Sequence, residues 1–144
     1  MATAAAIGWS TTYEIWDASL TTPAFAMVAE VNSVTPGAAE VDRIDATHMQ
    51  SPNRRREYIA GLIDNGEASF EMNFVPGSAS DVLMRGLLDS GASVQHRITF
   101  PNGHRVTYNA VITGYEKEIP VDDKMTATVT VAVSGAETWD EAAP

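Results

Sequence analysis

The sequence predicts a mainly β protein, an antiparallel sandwich or barrel-like sheet structure with one flanking α-helix and a long extended arm. Three observations carry that prediction. Strict apolar–polar alternation recurs in several separate runs, the period of half-buried strands. Asn-Gly pairs at Asn65-Gly66 and Asn102-Gly103 border such runs, and both residue types tolerate the positive φ of tight turns. A single stretch, 78–90, carries helical signals instead. One helix among strands belongs on a flank of the sheet.

Taken in order, residues 1–11 are small and polar and read as a flexible arm, although Trp9 and Trp16 are too large to leave in water without reason. Thr12 to Asp17 alternates loosely and gives a first short strand. Phe25 to Val34 alternates better and reads as one second strand, with Phe25, Met27, Ala29 and Val31 on one face. Thr35-Pro36-Gly37 ends it. No clear periodicity returns before Asn65, and a run this long without regular structure is usually functional or disordered. Val41, Ile44, Met49, Tyr58, Ile59, Leu62 and Ile63 are spread through it, which fits disorder poorly. Residues 35–65 therefore read as an extended arm, with a short strand near Glu40 to Thr47, ordered by whatever it touches.

The best-patterned strand follows, with Ala68, Phe70, Met72 and Phe74 on one face and Glu67, Ser69, Glu71 and Asn73 on the other. Pro76-Gly77 stops it. Ser78 or Ser80 caps the helix, Asp81 suits the positive end of its dipole, and Gly91 suits its left-handed terminus. Val82, Leu83, Leu87 and Leu88 form the expected apolar side. The Pro101-Asn102-Gly103 turn joins Val94–Phe100 to His104–Lys117, with Val94, His96, Ile98 and Phe100 facing inward alongside Val106, Tyr108, Ala110 and Ile112. The last strand, Lys124 to Ser134, sets Met125, Ala127, Val129, Val131 and Val133 against Thr126, Thr128 and Thr130. Phe70, Met72, Phe74, Leu83, Leu87, Val129 and Val131 are the expected core. Residues 12–135 thus form one domain, and 136–144 read as an acidic tail.

At 144 residues with 44% hydrophobic side chains, the chain can bury one substantial core. No cysteine is present, so disulfides and thiolate metal sites are excluded. The start of the chain lacks a basic, apolar-run signal pattern, and no stretch reaches transmembrane length. A formal net charge of −10 argues against a grip on nucleic acid or anionic membrane. It does not argue against a surface that must repel nucleic acid. His48, His96 and His104 lack metal-like spacing, and His96 reads as a hydrogen-bonded core histidine. Asp42, Asp45 and His48 could converge on a cation but offer too few ligands for an oxygen cage. Asp122-Asp123 is turn chemistry. With no nucleophile, phosphate-loop or dinucleotide motif, the chain reads as a non-enzyme without a cofactor. Arg54-Arg55-Arg56 stands out, holding three of nine Lys and Arg residues. It reads either as a solvated loop or as a group carried, with Tyr58, to an acidic patch on a neighbouring copy; arginine suits such multidentate carboxylate contacts.

The series VNSVTPGAAEVDRIDAT, GEASFEMNFVPG before a helix, HRITFPNGHRVTYNAVITGYEKEI and MTATVTVAVSG resembles the tail tube (major tail) proteins of long-tailed, lambda-type bacteriophages. The likeness runs from about Val28 to Gly135, and the chain looks like the tube module alone. The resemblance implies a structural virion protein, assembled in the host cytoplasm as six-fold rings stacked into a tube. Four strands per subunit would close a wall of about 24 strands, with a backbone diameter of roughly 48 Å and a free bore of roughly 35–40 Å. Double-stranded DNA would pass through it, after a tape measure protein had occupied the lumen, and tail-tip and tail-terminator proteins would close the ends. No membrane insertion is implied. Six copies carry about −60 per ring, and an acidic wall would repel phosphate rather than trap it. The expected lumen-facing residues are Glu67, Ser69, Glu71, Asn73, Thr126, Thr128 and Thr130. Two rivals stay open at this stage. One is the tube of a contractile tail or a type VI-like secretion system; the other is a monomeric β-barrel holding a small ligand.

Overall fold

The computed structural model describes residues 8–18 and 20–141; residues 1–7 of the expected N-terminal arm and 142–144 of the expected tail lie outside them. Nine strands, β1 (Thr12–Asp17), β2 (Ala24–Met27), β3 (Val31–Thr35), β4 (Glu40–Asp45), β5 (Tyr58–Asp64), β6 (Glu67–Asn73), β7 (Val94–Thr99), β8 (His104–Glu118) and β9 (Thr126–Glu141), accompany one helix, α1 (Ala79–Ser90). Seven of the strands form an antiparallel sheet in the order β2-β1-β7-β8-β9-β6-β3, and β4 and β5 form a separate hairpin.

The connection between β2 and β3 dictates the shape of the sheet. These strands occupy its two opposite edges, yet only residues 28–30 join them. Laid flat, seven strands would span about 29 Å from edge to edge. Four peptide steps reach only about 14 Å. The sheet must therefore roll until its edges meet. Val28 N–H bonds the Tyr13 carbonyl on one side, and Asn73 N–H bonds the Glu30 carbonyl on the other. The predicted single strand from Phe25 to Val34 is thus two strands. Glu30, with φ 57°, breaks it, and Val28 turns into the core.

Rolling divides the long β8 and β9 between two layers. In front, β3, β6, the first half of β9 and the second half of β8 lie side by side. Behind, β2, β1, β7 and the first half of β8 do. Register shifts at Thr107/Asn109 and at Ile112/Gly114 mark the places where the β8–β9 ribbon bends. Beyond Gly135 (φ 78°), β9 continues to Glu141, where Arg105 and His104 bind Asp140 and Glu141 and Trp139 stacks on Phe100. Residues 136–141, read as the start of an acidic tail, are strand. Trp9, by contrast, is 79% exposed, so its size forces no burial; Trp16 meets Phe25 edge-on.

The inward alternation fills the roll. Phe70, Met72, Val129, Val131, Ile98, Val106 and Ile112 are buried, and Phe74, Leu83 and Leu87 pack against them. The helix closes one flank against β8. Ser78 caps it, accepting from the Asp81 N–H, while Ser80 accepts from Ala29 N–H and pins the β2–β3 turn. Met84 is its buried apolar residue; Val82 and Leu88, expected on the apolar side, are exposed. The pattern of four large aliphatics hid the single methionine that points at the sheet.

His96 is fully buried, as its place on an inward face predicts. The Tyr13 hydroxyl lies 2.7 Å from its Nδ1 and 2.8 Å from the Tyr108 hydroxyl. Burial holds the imidazole down at about 4 and pushes the Tyr108 phenol up to about 12. The neutral ring is thus part of the core.

Two outcomes follow for stability. Phe70→Ala should lose about 3–5 kcal/mol in denaturant unfolding, against less than about 0.5 kcal/mol for Val82→Ala. For His96, the folded state resists a proton that the unfolded chain accepts near 6.5. Its stabilising contribution is complete above that pH and is lost as pH falls toward 4, by about 3 kcal/mol in all. His96→Gln, which keeps an acceptor for Tyr13, should lose about that much less than the wild type between pH 7 and pH 4. Equal losses would remove His96 from the account.

Candidate functional site

Two surfaces gather the residues singled out in the sequence. The first is the outward face of the front layer. Register places Ser69 opposite Thr130, Glu71 opposite Thr128 and Asn73 opposite Thr126, with Glu67 beside Ala132. These seven polar residues share one face, because their neighbours Ala68, Phe70, Met72, Ala127, Val129 and Val131 fill the other. The adjoining strands extend that face. Ser33 and Thr35 align with Glu71 and Ser69, and Glu116 and Glu118 align with Thr128 and Thr126. No lysine or arginine stands on it. Glu116 and Glu118 escape a reading by simple alternation because the bulge at Thr113 reverses the parity of β8.

This layer has two strand edges without a partner among the described residues. One is β3, which pairs only with β6. The other is β8 from Val111 onward, which pairs only with β9, since the pairing with β7 ends at Val94 opposite Ala110. Beneath β8, Asp81 fixes the helix. Its carboxylate accepts from Gly77 N–H and the Tyr115 hydroxyl and pairs with Arg85. Burial opposes its ionisation, but these partners outweigh it and hold the carboxyl below its ordinary range.

The second surface is the β4–β5 hairpin. The expected arm with one short strand is a two-stranded ribbon, because β5 pairs with β4 along its length. Its base is pinched so closely that only glycine fits. A Cβ on Gly37 would lie 2.6 Å from the Asn65 carbonyl oxygen, and one on Gly66 (φ 71°) 2.8 Å from that of Ala38. No other element packs substantially on the ribbon. A register shift between Val41 and Arg43, with the extra residue in β5, splits the aliphatics between the two faces: Ile44 and Ile59 share one, Val41 and Ile63 the other, and all four are about half exposed or more. Arg43 lies over the Tyr58 ring on the same face as Val41 and Ile63.

The tip of the hairpin is tied internally. Asp45 accepts from Thr47 N–H and pairs with Arg56; Glu57 accepts from the Ser51 hydroxyl and faces His48 Nε2 at 3.3 Å. Asn53 and Arg54 both take left-handed backbone to turn the chain. Asp45 and His48, considered as cation ligands with Asp42, are thus engaged elsewhere, and among the described residues no group of acids and histidines could hold a metal. Arg54 and Arg55 find no carboxylate among the described residues. A groove of about 1230 Å³, lined in part by Trp9, Val31, Val34, Phe100 and Trp139, opens on the surface, whereas the rolled interior is filled with side chains.

The sequence profile described as lambda phage tail tube protein matches residues 8–140. No curated protein sequence matches significantly. Among solved structures, the tail of an empty gene transfer agent particle, refined with C6 symmetry, superposes with a TM-score of 0.77 at 17% identity, over 94% of this chain and 99% of that one. The SPP1 tail tube gives 0.72 at 12% identity, over 94% and 78%. The sheath/tube terminator of an extracellular contractile injection system gives 0.70 at 11%, over 94% and 96%. At such identities the likeness is one of fold.

The internal ties of the tip carry their own expectation. Glu57→Ala removes the acceptor shared by Ser51 and His48. Amides 47–56 should then exchange hydrogen several-fold faster while the melting temperature of the body stays unchanged. Unaltered exchange at the tip would mean that these bonds do not order it.

Proposed function

The chain belongs to the lambda phage tail tube protein family, and from that membership we propose that it closes into six-subunit rings, stacked as a conduit for double-stranded DNA. As a tail tube protein of phage-like tails it is a structural component of the virion. The observation that carries the ring is the front layer, a four-stranded sheet open at both edges with a cation-free outward face. Successive strands β3, β6, β9 and β8 alternate in direction. An even number of antiparallel strands lets the β8 edge of one copy meet the β3 edge of the next in antiparallel register. A six-fold rotation then closes the wall without a mismatched seam.

Turned inward, the face bearing Glu67, Ser69, Glu71, Asn73, Thr126, Thr128 and Thr130 becomes the lumen lining. Its hydroxyls stay hydrated and give phosphate no cationic hold. Its glutamates repel duplex DNA within about 8–10 Å of the wall at physiological salt. Before DNA enters, the same lining would accommodate a tape measure protein, and the end rings would meet tail-tip and terminator proteins. The hairpin serves as the assembly element. Its exposed aliphatics need cover, since a lone two-stranded ribbon is marginal in water, and Arg54, Arg55, Arg56 and Tyr58 make contacts between subunits.

Glu67→Lys/Glu71→Lys should leave tubes intact but slow DNA passage roughly tenfold or more at low salt, with recovery as salt rises. Phage ejecting at the normal rate would overturn the lumen assignment. So would a cryo-EM map with these side chains on the outside of the tube.

A further inference from the structure

We propose that Asn102 is a site of self-modification. Attack by the Gly103 backbone nitrogen expels its side-chain amide as ammonia, and hydrolysis leaves aspartate or isoaspartate in the turn between β7 and β8. Two of the six asparagines precede a glycine, Asn65 and Asn102. A glycine has no Cβ to obstruct the approach of its nitrogen to the preceding side chain. By sequence the two pairs are equivalent candidates. The fold makes them unequal.

At Asn102 the carbon under attack is accessible and polarised. The side chain is exposed at the tip of the turn, and its Oδ1 accepts from His104 N–H at 3.1 Å. Attack at Cγ builds negative charge on that oxygen, so a donor already points to where the charge develops. Among the described residues nothing accepts from Nδ2, which leaves the departing amide untied. Gly103 has φ 91°, and a Cβ built on it would meet nothing within 4 Å, so the turn has room for the cyclic imide. One bond opposes the reaction, from Gly103 N–H to the Phe100 carbonyl at 3.0 Å. At an exposed loop tip such a bond opens readily.

At Asn65 these features are reversed. The residue is half-buried, and its Nδ2 donates to the Gly135 carbonyl, which ties down the departing group. Gly66 N–H donates to Asp64 Oδ1, and the Gly66 carbonyl accepts from Val133 N–H. The close approaches of Gly66 to Ala38 and of Gly37 to the Asn65 carbonyl leave no space for the backbone to swing into a ring.

The reaction consumes one water and releases one ammonia. The Gly103 nitrogen yields its proton to solvent and bonds to Asn102 Cγ; the Cγ–Nδ2 bond breaks, and the departing nitrogen takes up a proton. Water then opens the imide. Cleavage of the new N–Cγ bond gives aspartate, and cleavage of the original peptide bond gives isoaspartate. Either product adds one negative charge. Isoaspartate also inserts a backbone atom into the turn that Phe100 N–H closes on the His104 carbonyl at 2.8 Å. That closure, and the stack of Trp139 on Phe100, must then readjust.

Incubating the intact chain in heavy-oxygen water, followed by peptide mass spectrometry, reads the reaction directly, because the new carboxylate takes its oxygen from solvent. In the folded protein, label should enter at position 102 about tenfold or more faster than at position 65. In denaturant, where both pairs are unrestrained, the two rates should converge. Converted chains should exchange amides 100–104 faster than unconverted ones, and Asn102→Gln should remove the label at that position. Folded protein that labels both positions alike would overturn the proposal. So would folded protein that leaves position 102 unlabelled over a period in which the denatured chain converts.

Discussion

Everything in this fold depends on a tether of three residues. Val28, Ala29 and Glu30 connect strands at opposite edges of a seven-stranded sheet, and no flat sheet could satisfy them. The roll they impose creates an enclosed interior for Tyr13, Phe70, Ile98 and Val129. It also obliges β8 and β9 to serve two layers and to bend where their register slips. Ser80 secures the tether by accepting from Ala29 N–H, so the helix guards the connection that shapes the sheet as well as covering its flank.

The same roll produces the unusual surface. Most natural sheets shield their edges with charge, bulges or covering elements, because a bare edge invites pairing with another chain. Here β3 and the second half of β8 stay open on either side of a layer whose outward face is polar and anionic. In a protein selected to remain alone that arrangement would be a hazard. In a subunit of the proposed ring it would supply the seam.

Much of this was legible in the residues. Period-two alternation gave β6, β7, β8 as far as Ile112 and most of β9, with the correct inward faces, because their burial is one-sided and each apolar side chain has a place in one core. The polar partners Ser69/Thr130 and Glu71/Thr128 could be assigned a common character, though their juxtaposition needed the register. Three features escaped, each for a local reason. Alternation runs unbroken through Glu30, so nothing in the pattern betrays its left-handed backbone. The hairpin escaped because the slip between Val41 and Arg43 breaks the period and leaves aliphatics on both faces. β9 crosses Gly135 into an acidic stretch whose strand character depends on Arg105 and Phe100, residues about 35 positions away. Non-local partners and bulges are what single-sequence periodicity cannot see.

The free-standing hairpin bears on how such a polymer begins. In an isolated subunit the ribbon has water on both faces and exposed aliphatics on each. Two such subunits meeting in solution would each have to hold a marginal ribbon in place for a single contact. A subunit arriving at an existing ring would find its seat already formed, with lateral neighbours on both sides. In the proposed tube, nucleation would then be far slower than elongation, and subunits would assemble after a long lag unless a preformed template seeded growth.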